Sequence, residues 1–267
     1  MVKGKITVLM SLFNCEDTLQ TAIDSLLSQT YKNWQAIVCD DCSTDGTLEL
    51  IKKNEAKHPN KFLIIRNETN LRLAASLNRC LQYADGEYCA RMDGDDYIDP
   101  QRFEKQIHFL QTHPTIQLVG TEMQVFTEQN KLGRVIEYEE FPNKYSLRKG
   151  PCFAHATIMM YTGVYKALNG YTVSKRTKRS QDYDLWFRFF AAGFQGATIQ
   201  EPLYFVREDR NAFLRRKPSL YLWAIITRWK GFRLLHYPIY YYFYVLSPLV
   251  GLIGNELRKA KVRFFKN

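Results

Sequence analysis

Short apolar runs alternate with helix-period segments through the first hundred residues, and this alternation restricts the possible folds more than any other feature. Residues 5–10 (KITVLM), 34–39 (WQAIVC), 62–66 and 87–92 read as strands. Leu19, Ala22, Ile23, Leu26 and Leu27 recur at helical spacing, so 17–28 is predicted as an amphipathic helix, and 47–57 and 73–83 as two more. Strands separated by helices make a parallel sheet. The second strand ends directly in Asp40-Asp41 and the fourth in Asp93-Gly94-Asp95-Asp96. Ligands of such sheets bind outside the carboxyl ends of the strands, so the two acidic clusters are predicted to share one site. Ser43 and Asp45 are expected to cap the helix that follows the first cluster.

Residues 101–209 are less regular. A helix is predicted over 102–111, ended by His113-Pro114, then a strand over 117–126, a strand-like run over 154–161 and a helix over 182–192. The polar stretch 130–150 carries no clear period.

Charge separates the last part from the rest. The chain carries +10 overall, yet residues 1–209 hold 25 Lys+Arg and 26 Asp+Glu, whereas 210–267 hold 12 against the single acid Glu256. Within this basic tail, 234–255 (LLHYPIYYYFYVLSPLVGLIGN) has no formal charge apart from His236. It has the length for a hydrocarbon core, about 20 residues. Pro238 and Pro248 interrupt it, however, and Tyr237, Tyr240, Tyr241, Tyr242 and Tyr244 crowd one end, as tyrosines do at headgroup level. Residues 220–235 mix Trp223, Ile225, Ile226, Trp229, Phe232 and Leu235 with Arg228, Lys230 and Arg233, the composition of an interfacial helix. The tail is therefore expected to meet an anionic membrane surface, lying in its plane or crossing it. A tyrosine-rich helix packed on the body is the other reading.

The first apolar run, 6–13, is short and lacks a small-residue cleavage site, so no signal peptide is expected. Six scattered cysteines make no disulfide framework, and the C-x-x-C of Cys39 and Cys42 has no second pair at zinc-site spacing. The expected place is cytoplasmic, peripheral at the cytoplasmic face of the membrane.

The chemistry centres on Asp93-Gly94-Asp95-Asp96. A diphosphate leaving group needs its developing charge neutralised, and hard divalent cations that do this take carboxylate oxygens. The same stretch is not an EF-hand. Asp93, Asp95, Asp99 and Glu104 match that loop's spacing, but Ile98 stands where its glycine must be.

Eight motifs occur in order: ITVLMSLFN (6–14), QTYK (29–32), DDCSTDGT (40–47), NLRLAASLN (70–78), ADGEY (84–88), RMDGDDYIDP (91–100), NGY (169–171) and QDYDLWFR (181–188). Together they resemble glycosyltransferase family 2 over roughly residues 5–207. The resemblance implies a GT-A fold, an α/β, Rossmann-like nucleotide-binding mixed sheet flanked by helices. Residues 1–100 would form the nucleotide-sugar half and 101–209 the acceptor and catalytic-base half, followed by the basic tail at 210–267. It implies that Asp41, assisted by Asp40, contacts the nucleotide base, that Asn14 lines the nucleotide pocket and that Asp93 approaches the ribose. Asp95 would be the main ligand of Mn²⁺ or Mg²⁺, and Asp182 the general base for the acceptor hydroxyl. An N-cap role for Asp182 is compatible with that. His155 matches a residue near the acceptor site, though a packed histidine reads equally well. Lys178 and Arg179, before Gln181, fit either a solvated loop or a lid meeting a diphosphate. Three positions depart from the family: Gln181 replaces an acid, Arg72 stands where glycine is common, and no histidine follows Tyr204–Arg207.

The function implied is inverting transfer from a nucleotide-sugar, with UDP the commonest carrier in the family, to a lipid-linked or polysaccharide acceptor in cell-surface glycan assembly. Transfer to a polyprenyl phosphate is the enzymatic alternative. A non-catalytic basic protein binding membrane or nucleic acid is the alternative of another class. Nucleic acid is not expected as a partner, because apolar runs interleave the tail's charge.

Overall fold

The computed structural model describes residues 1–127, 131–208, 214 and 217–264; the boundary expected at 209/210 lies outside them. The chain divides into two compact units. The first takes Met1–Pro142, Cys152–Tyr171 and Phe194–Glu208, and the second takes Asn143–Pro151, Thr172–Gly193 and the chain from Asp209 onward.

The first unit opens with β1 (Val2–Leu12), α1 (Glu16–Leu27), β2 (Trp34–Asp40), α2 (Thr47–Lys57), β3 (Phe62–Arg66), α3 (Leu73–Gln82) and β4 (Gly86–Arg91). All seven lie where the periodicity put them. β1 pairs in parallel with β2 on one side and β4 on the other, and β2 pairs in parallel with β3. The chain thus walks outward from β1 and then reverses to β4, and that reversal opens a crevice at the carboxyl ends of β1, β2 and β4. Ile6, Val8, Met10, Ala36, Val38 and Ala90 are fully buried with Leu19, Ile23 and Leu26 of α1.

After β4 come β5 (Tyr97–Ile98), α4 (Arg102–Thr112), β6 (Leu118–Phe126), β7 (Leu132–Ile136), β8 (Met159–Tyr161), α5 (Thr162–Ala167) and β9 (Gly196–Arg207). They extend the sheet to the order β3-β2-β1-β4-β8-β6-β9-β5, with β7 on β6. Antiparallel pairs at β4–β8, β8–β6 and β9–β5 make the sheet mixed.

Three expectations change here. Residues 154–161 are not one strand: His155–Thr157 form a 3-10 turn, and only Met159–Tyr161 pair. The cause is Arg102, whose fully buried guanidinium gathers the carbonyls of Arg91 (3.1 Å) and Thr157 (2.8 Å) and so curls the segment towards α4. Ser43 does not cap α2. Its Oγ accepts the Asn14 N–H at 3.1 Å, while Asp45 takes the N–H groups of Thr47 and, across the loop, Glu16. The polar stretch contributes β7.

In the second unit α6 (Gln181–Ala191) meets α7 (Pro218–Leu234), followed by a 3-10 helix over Ile239–Leu246 and α8 (Ser247–Phe264). A side chain on Gly231 would place its Cβ 2.2 Å from the Phe187 ring, so glycine sets how closely α7 approaches α6. Thr227, Arg228, Gly231 and Phe232 form the buried face of α7. Arg228 therefore does not face a lipid surface; it donates to the carbonyls of Arg148, Lys149 and Tyr244. In the 234–255 stretch Pro238 caps the 3-10 helix, which gives way to α8 at Ser247-Pro248, and among the described residues no helix is long and apolar enough to cross a membrane.

Candidate active site

The loop after β4 is built to hold carboxylates close together. Gly94 lies against Leu12, where an added Cβ would stand 2.6 Å from Cδ2, so only glycine lets the loop fold down on β1. Asp93 pairs with Arg91 (Nη2 to Oδ1, 2.5 Å), and the Arg91 side chain is completely buried. Burial opposes the Arg91 charge, but Asp93 outweighs it and holds the guanidinium protonated. Asp96 is buried as well: its Oδ2 accepts the Tyr204 hydroxyl at 2.9 Å and its Oδ1 accepts the Arg207 N–H at 2.8 Å. Tyr204 Oη in turn accepts the Asp93 N–H at 3.1 Å. β5 and β9 bring these partners together, pairing Ile98 with Tyr204 and Tyr97 with Phe205.

Asp95 stands between the two anchored acids. Its side chain is open to solvent on one side. The surrounding protein nonetheless raises its carboxyl above the usual range by desolvation, and Asp93 beside it adds to the rise. Burial raises Asp96 further. A cluster of carboxylates held together at this cost suits a hard cation, which takes oxygen ligands and relieves the repulsion. Among the described residues no three His, Cys, Asp or Glu side chains form a metal cage by themselves.

At the end of β2, both acids are buried and bound. Asp40 Oδ1 accepts the Ser43 N–H, and its Oδ2 lies 3.3 Å from Arg66 Nε. Asp41 Oδ1 accepts from Asn67 Nδ2 (2.6 Å) and the Leu71 N–H (2.8 Å), and its Oδ2 accepts the Arg72 N–H (2.8 Å). Asp41 thus fixes the 67–72 loop, with acceptor capacity left on Oδ2. Arg72 adopts φ +71°, ψ 169°, a region that glycine occupies freely and other residues rarely. The loop keeps a glycine's backbone with an arginine in place. Asn14, at φ +48°, has its Oδ1 accepting the Thr44 N–H and so ties the β1 loop to the β2 loop.

His155 lies with Tyr171 in the first unit: Nε2 to Oη is 2.9 Å, and Tyr171 Oη is 3.1 Å from Tyr165 Oη. Burial, and then the charge of Arg91, press its pKa well below the usual histidine value, so the ring is neutral. Tyr171 is itself pinned by Asn78, which bonds its N–H and carbonyl at 2.7 and 2.8 Å.

In the second unit, Asp182 and Asp184 both occupy the first turn of α6. Asp184 is buried and taken up: Thr172 Oγ1 (2.6 Å), Arg176 Nη1 (2.5 Å) and Arg188 Nε (2.9 Å) all donate to it. Of the basic segment, Arg176 is therefore structural, whereas Lys178 and Arg179 are exposed. Asp182 and Gln181 are half-buried at the start of the helix.

Sequence reasoning assigned no role to Arg91, Arg102, Tyr204 or Arg207. The available signal was an arginine inside an otherwise apolar strand, which is rarely buried unless paired.

The family model for glycosyl transferase family 2 matches residues 7–169. The chain is 47% identical over 263 residues to EpsE of Bacillus subtilis strain 168, a glycosyltransferase by name, covering 97% of this chain and 94% of that one. Residues 1–349 of S. aureus TarS, in complex with UDP-GlcNAc, superpose with a TM-score of 0.69 at 17% identity. That match covers 84% of this chain, which spans 65% of the TarS fragment. The mannosyltransferase PcManGT from Pyrobaculum calidifontis, in complex with GDP-Man and Mn²⁺, gives 0.60 at 15% identity over 98% of this chain and 80% of its own. At these identities the two structures show a shared fold, the GT-A sheet flanked by helices.

Proposed function

Because the chain belongs to glycosyltransferase family 2, we propose that it transfers a sugar, with inversion, from a nucleotide-sugar to a hydroxyl of a lipid-linked or glycan acceptor in cell-surface polysaccharide assembly. The observation that carries this reading is the Asp93–Asp96 loop: three carboxylates at the carboxyl end of a parallel strand, one open to solvent and two braced by Arg91 and Tyr204.

Asp95 would hold a divalent cation, Mn²⁺ or Mg²⁺, which when bound neutralises charge on the leaving diphosphate. Asp93, fixed by Arg91, presents its remaining acceptor capacity to the ribose. Asn14, Asp40 and Asp41 set the two loops that receive the base, with Oδ2 of Asp41, which already accepts the Arg72 N–H, offering its second lone pair. UDP is the carrier we favour. Asp182 takes the proton of the acceptor hydroxyl; Asp184, the other acid of that turn, is committed to two arginines and is unsuited to the role. Gln181, uncharged, precedes Asp182 where the family commonly has an acid. Lys178 and Arg179 are free to meet a diphosphate, and His155, being neutral, serves the acceptor side by hydrogen bonding. The basic tail keeps the enzyme at the cytoplasmic face of an anionic membrane, where a lipid-linked acceptor resides.

The test is turnover of a nucleotide-sugar on a lipid-diphosphate acceptor, with the anomeric configuration of the product read by NMR. Inversion is expected, and Asp182→Asn should lower kcat by roughly 10² to 10⁴. A product of retained configuration contradicts the mechanism. Unchanged kcat in the variant points instead to a nucleophile that needs no base, such as the phosphate of a polyprenyl phosphate, already largely ionised at neutral pH.

A further inference from the structure

Sugar transfer makes no use of the outer surface of the last two helices. In a 3-10 helix residues three apart eclipse, and in an α-helix residues three, four and seven apart share a face. The exposed apolar side chains obey each rule in turn. Through the 3-10 segment, after exposed Ile239 at its first position, they are Tyr240, Phe243 and Leu246, spaced by three. Through α8 they continue as Val250, Ile253 and Leu257, spaced by four, three and four from Leu246. These six are between 55 and 74% exposed. The face of α8 turned the other way is the one that packs: Asn255 is buried, and a Cβ added to Gly251 would stand 3.4 Å from the Tyr221 ring. The result is a continuous apolar row roughly 30 Å long. α7 carries a shorter one, Leu222, Ile226 and Trp229, followed by exposed Lys230 and Arg233. Trp229 packs edge-on against Tyr242 of the 3-10 helix, with ring centroids 5.1 Å apart.

We propose that this surface lies in the plane of an anionic lipid bilayer, with the 240–257 row sunk among the upper acyl chains and the basic side chains on the headgroups. The charge decides between occupants. The 210–267 segment carries 12 Lys+Arg and one acid, so two copies meeting face to face would bring like charges together, whereas an anionic bilayer neutralises them. An apolar row beside cations, on helices too short or too polar to cross, is the form of an in-plane anchor. Tyr240 and Trp229 are side chains with an apolar body and a polar tip, which settle at headgroup level. This inference rests on the membrane-facing part of the proposed function and not on its chemistry.

The test sediments the full chain with vesicles of phosphatidylcholine, with and without phosphatidylglycerol, and compares it with a Val250→Ser, Ile253→Ser variant. Both positions are exposed and uncharged, so fold and net charge are kept. The wild type should bind the anionic vesicles, and the variant should lose at least about tenfold in partitioning. UDP affinity, measured in parallel, should be the same in both proteins. Equal partitioning of variant and wild type overturns the proposal. So does a wild type that ignores vesicles but forms a dimer abolished by the two substitutions, since the row is then a self-interface. A chain that binds vesicles as expected but no nucleotide leaves this inference standing and removes the donor reading.

Discussion

Two residues show how the site spends stability on geometry. Arg72 holds φ +71°, ψ 169° next to Asp41, and non-glycine residues in such regions cost about 1–3 kcal/mol. Arg72→Gly should therefore raise stability by about 1 kcal/mol after the entropy of the added glycine, read as a higher Tm; a lower Tm would mean that the arginine side chain contributes packing that outweighs the strain. Asp184 works in the other direction. Burial alone would raise its carboxyl, but the donors on Thr172, Arg176 and Arg188 outweigh that and hold it below the usual range. A depressed carboxyl pKa stabilises the fold above its unfolded value, about 3.9, and that contribution is lost as pH falls through the folded value. The acid limb of the stability profile should thus begin below about pH 4 and flatten in Asp184→Asn, which should also cost about 2–3 kcal/mol at neutral pH. An identical acid limb in the variant would show that the network is idle. From sequence the acids were visible and the family resemblance implied roles for Asp93, Asp95 and Asp182, but the commitment of Asp96 and Asp184 was not legible, because donors such as Tyr204 and Arg176 are brought near only by folding.

At the scale of elements, strands and helices with a clean period were legible. β1 to β4 and the three helices between them lie within a few residues of their predicted positions, since each buries a face whose pattern is local. β9 was missed for a physical reason. Gln200, Glu201 and Pro202 interrupt it, and its register against β6 shifts there, from Thr121 opposite Ile199 to Glu122 opposite Pro202. A bulged strand has no period to read. The 154–161 segment was misread because Arg102, some fifty positions earlier, sets its shape through backbone carbonyls. Residues 220–235 were read as having the composition of an interfacial helix; α7 has a buried face at Thr227, Arg228, Gly231 and Phe232 that the composition did not separate from the exposed one. That core face depends on Gly231. Gly231→Ala must push its methyl into the Phe187 ring, and a loss of about 1–3 kcal/mol in chemical denaturation is expected. No loss would mean that α7 can draw away from α6 without cost.

For the whole molecule, chain order and spatial organisation differ. The second unit is assembled from three separated stretches, with Phe187 of α6 6.0 Å from Phe232 of α7 and the Tyr183 hydroxyl donating to the Leu147 carbonyl. Removing the tail would therefore strip one wall from the helix that carries Asp182, and membrane binding has to be judged on the full chain with surface substitutions. The +11 balance of residues 210–267 was plain in composition, but its split into a buried face with Arg228 and an exposed one with Lys230 and Arg233 was not. The account as a whole stands on one claim, that Asp95 and the strand-end loops receive a nucleotide together with a cation. The most direct test is titration of the purified chain with UDP, GDP, CDP and their sugars, with and without Mn²⁺, for the wild type and Asp95→Ala. Binding of one nucleotide that strengthens with Mn²⁺ and loses that dependence in the variant is the predicted result; binding equally strong without the cation, or unchanged by the substitution, would contradict the account.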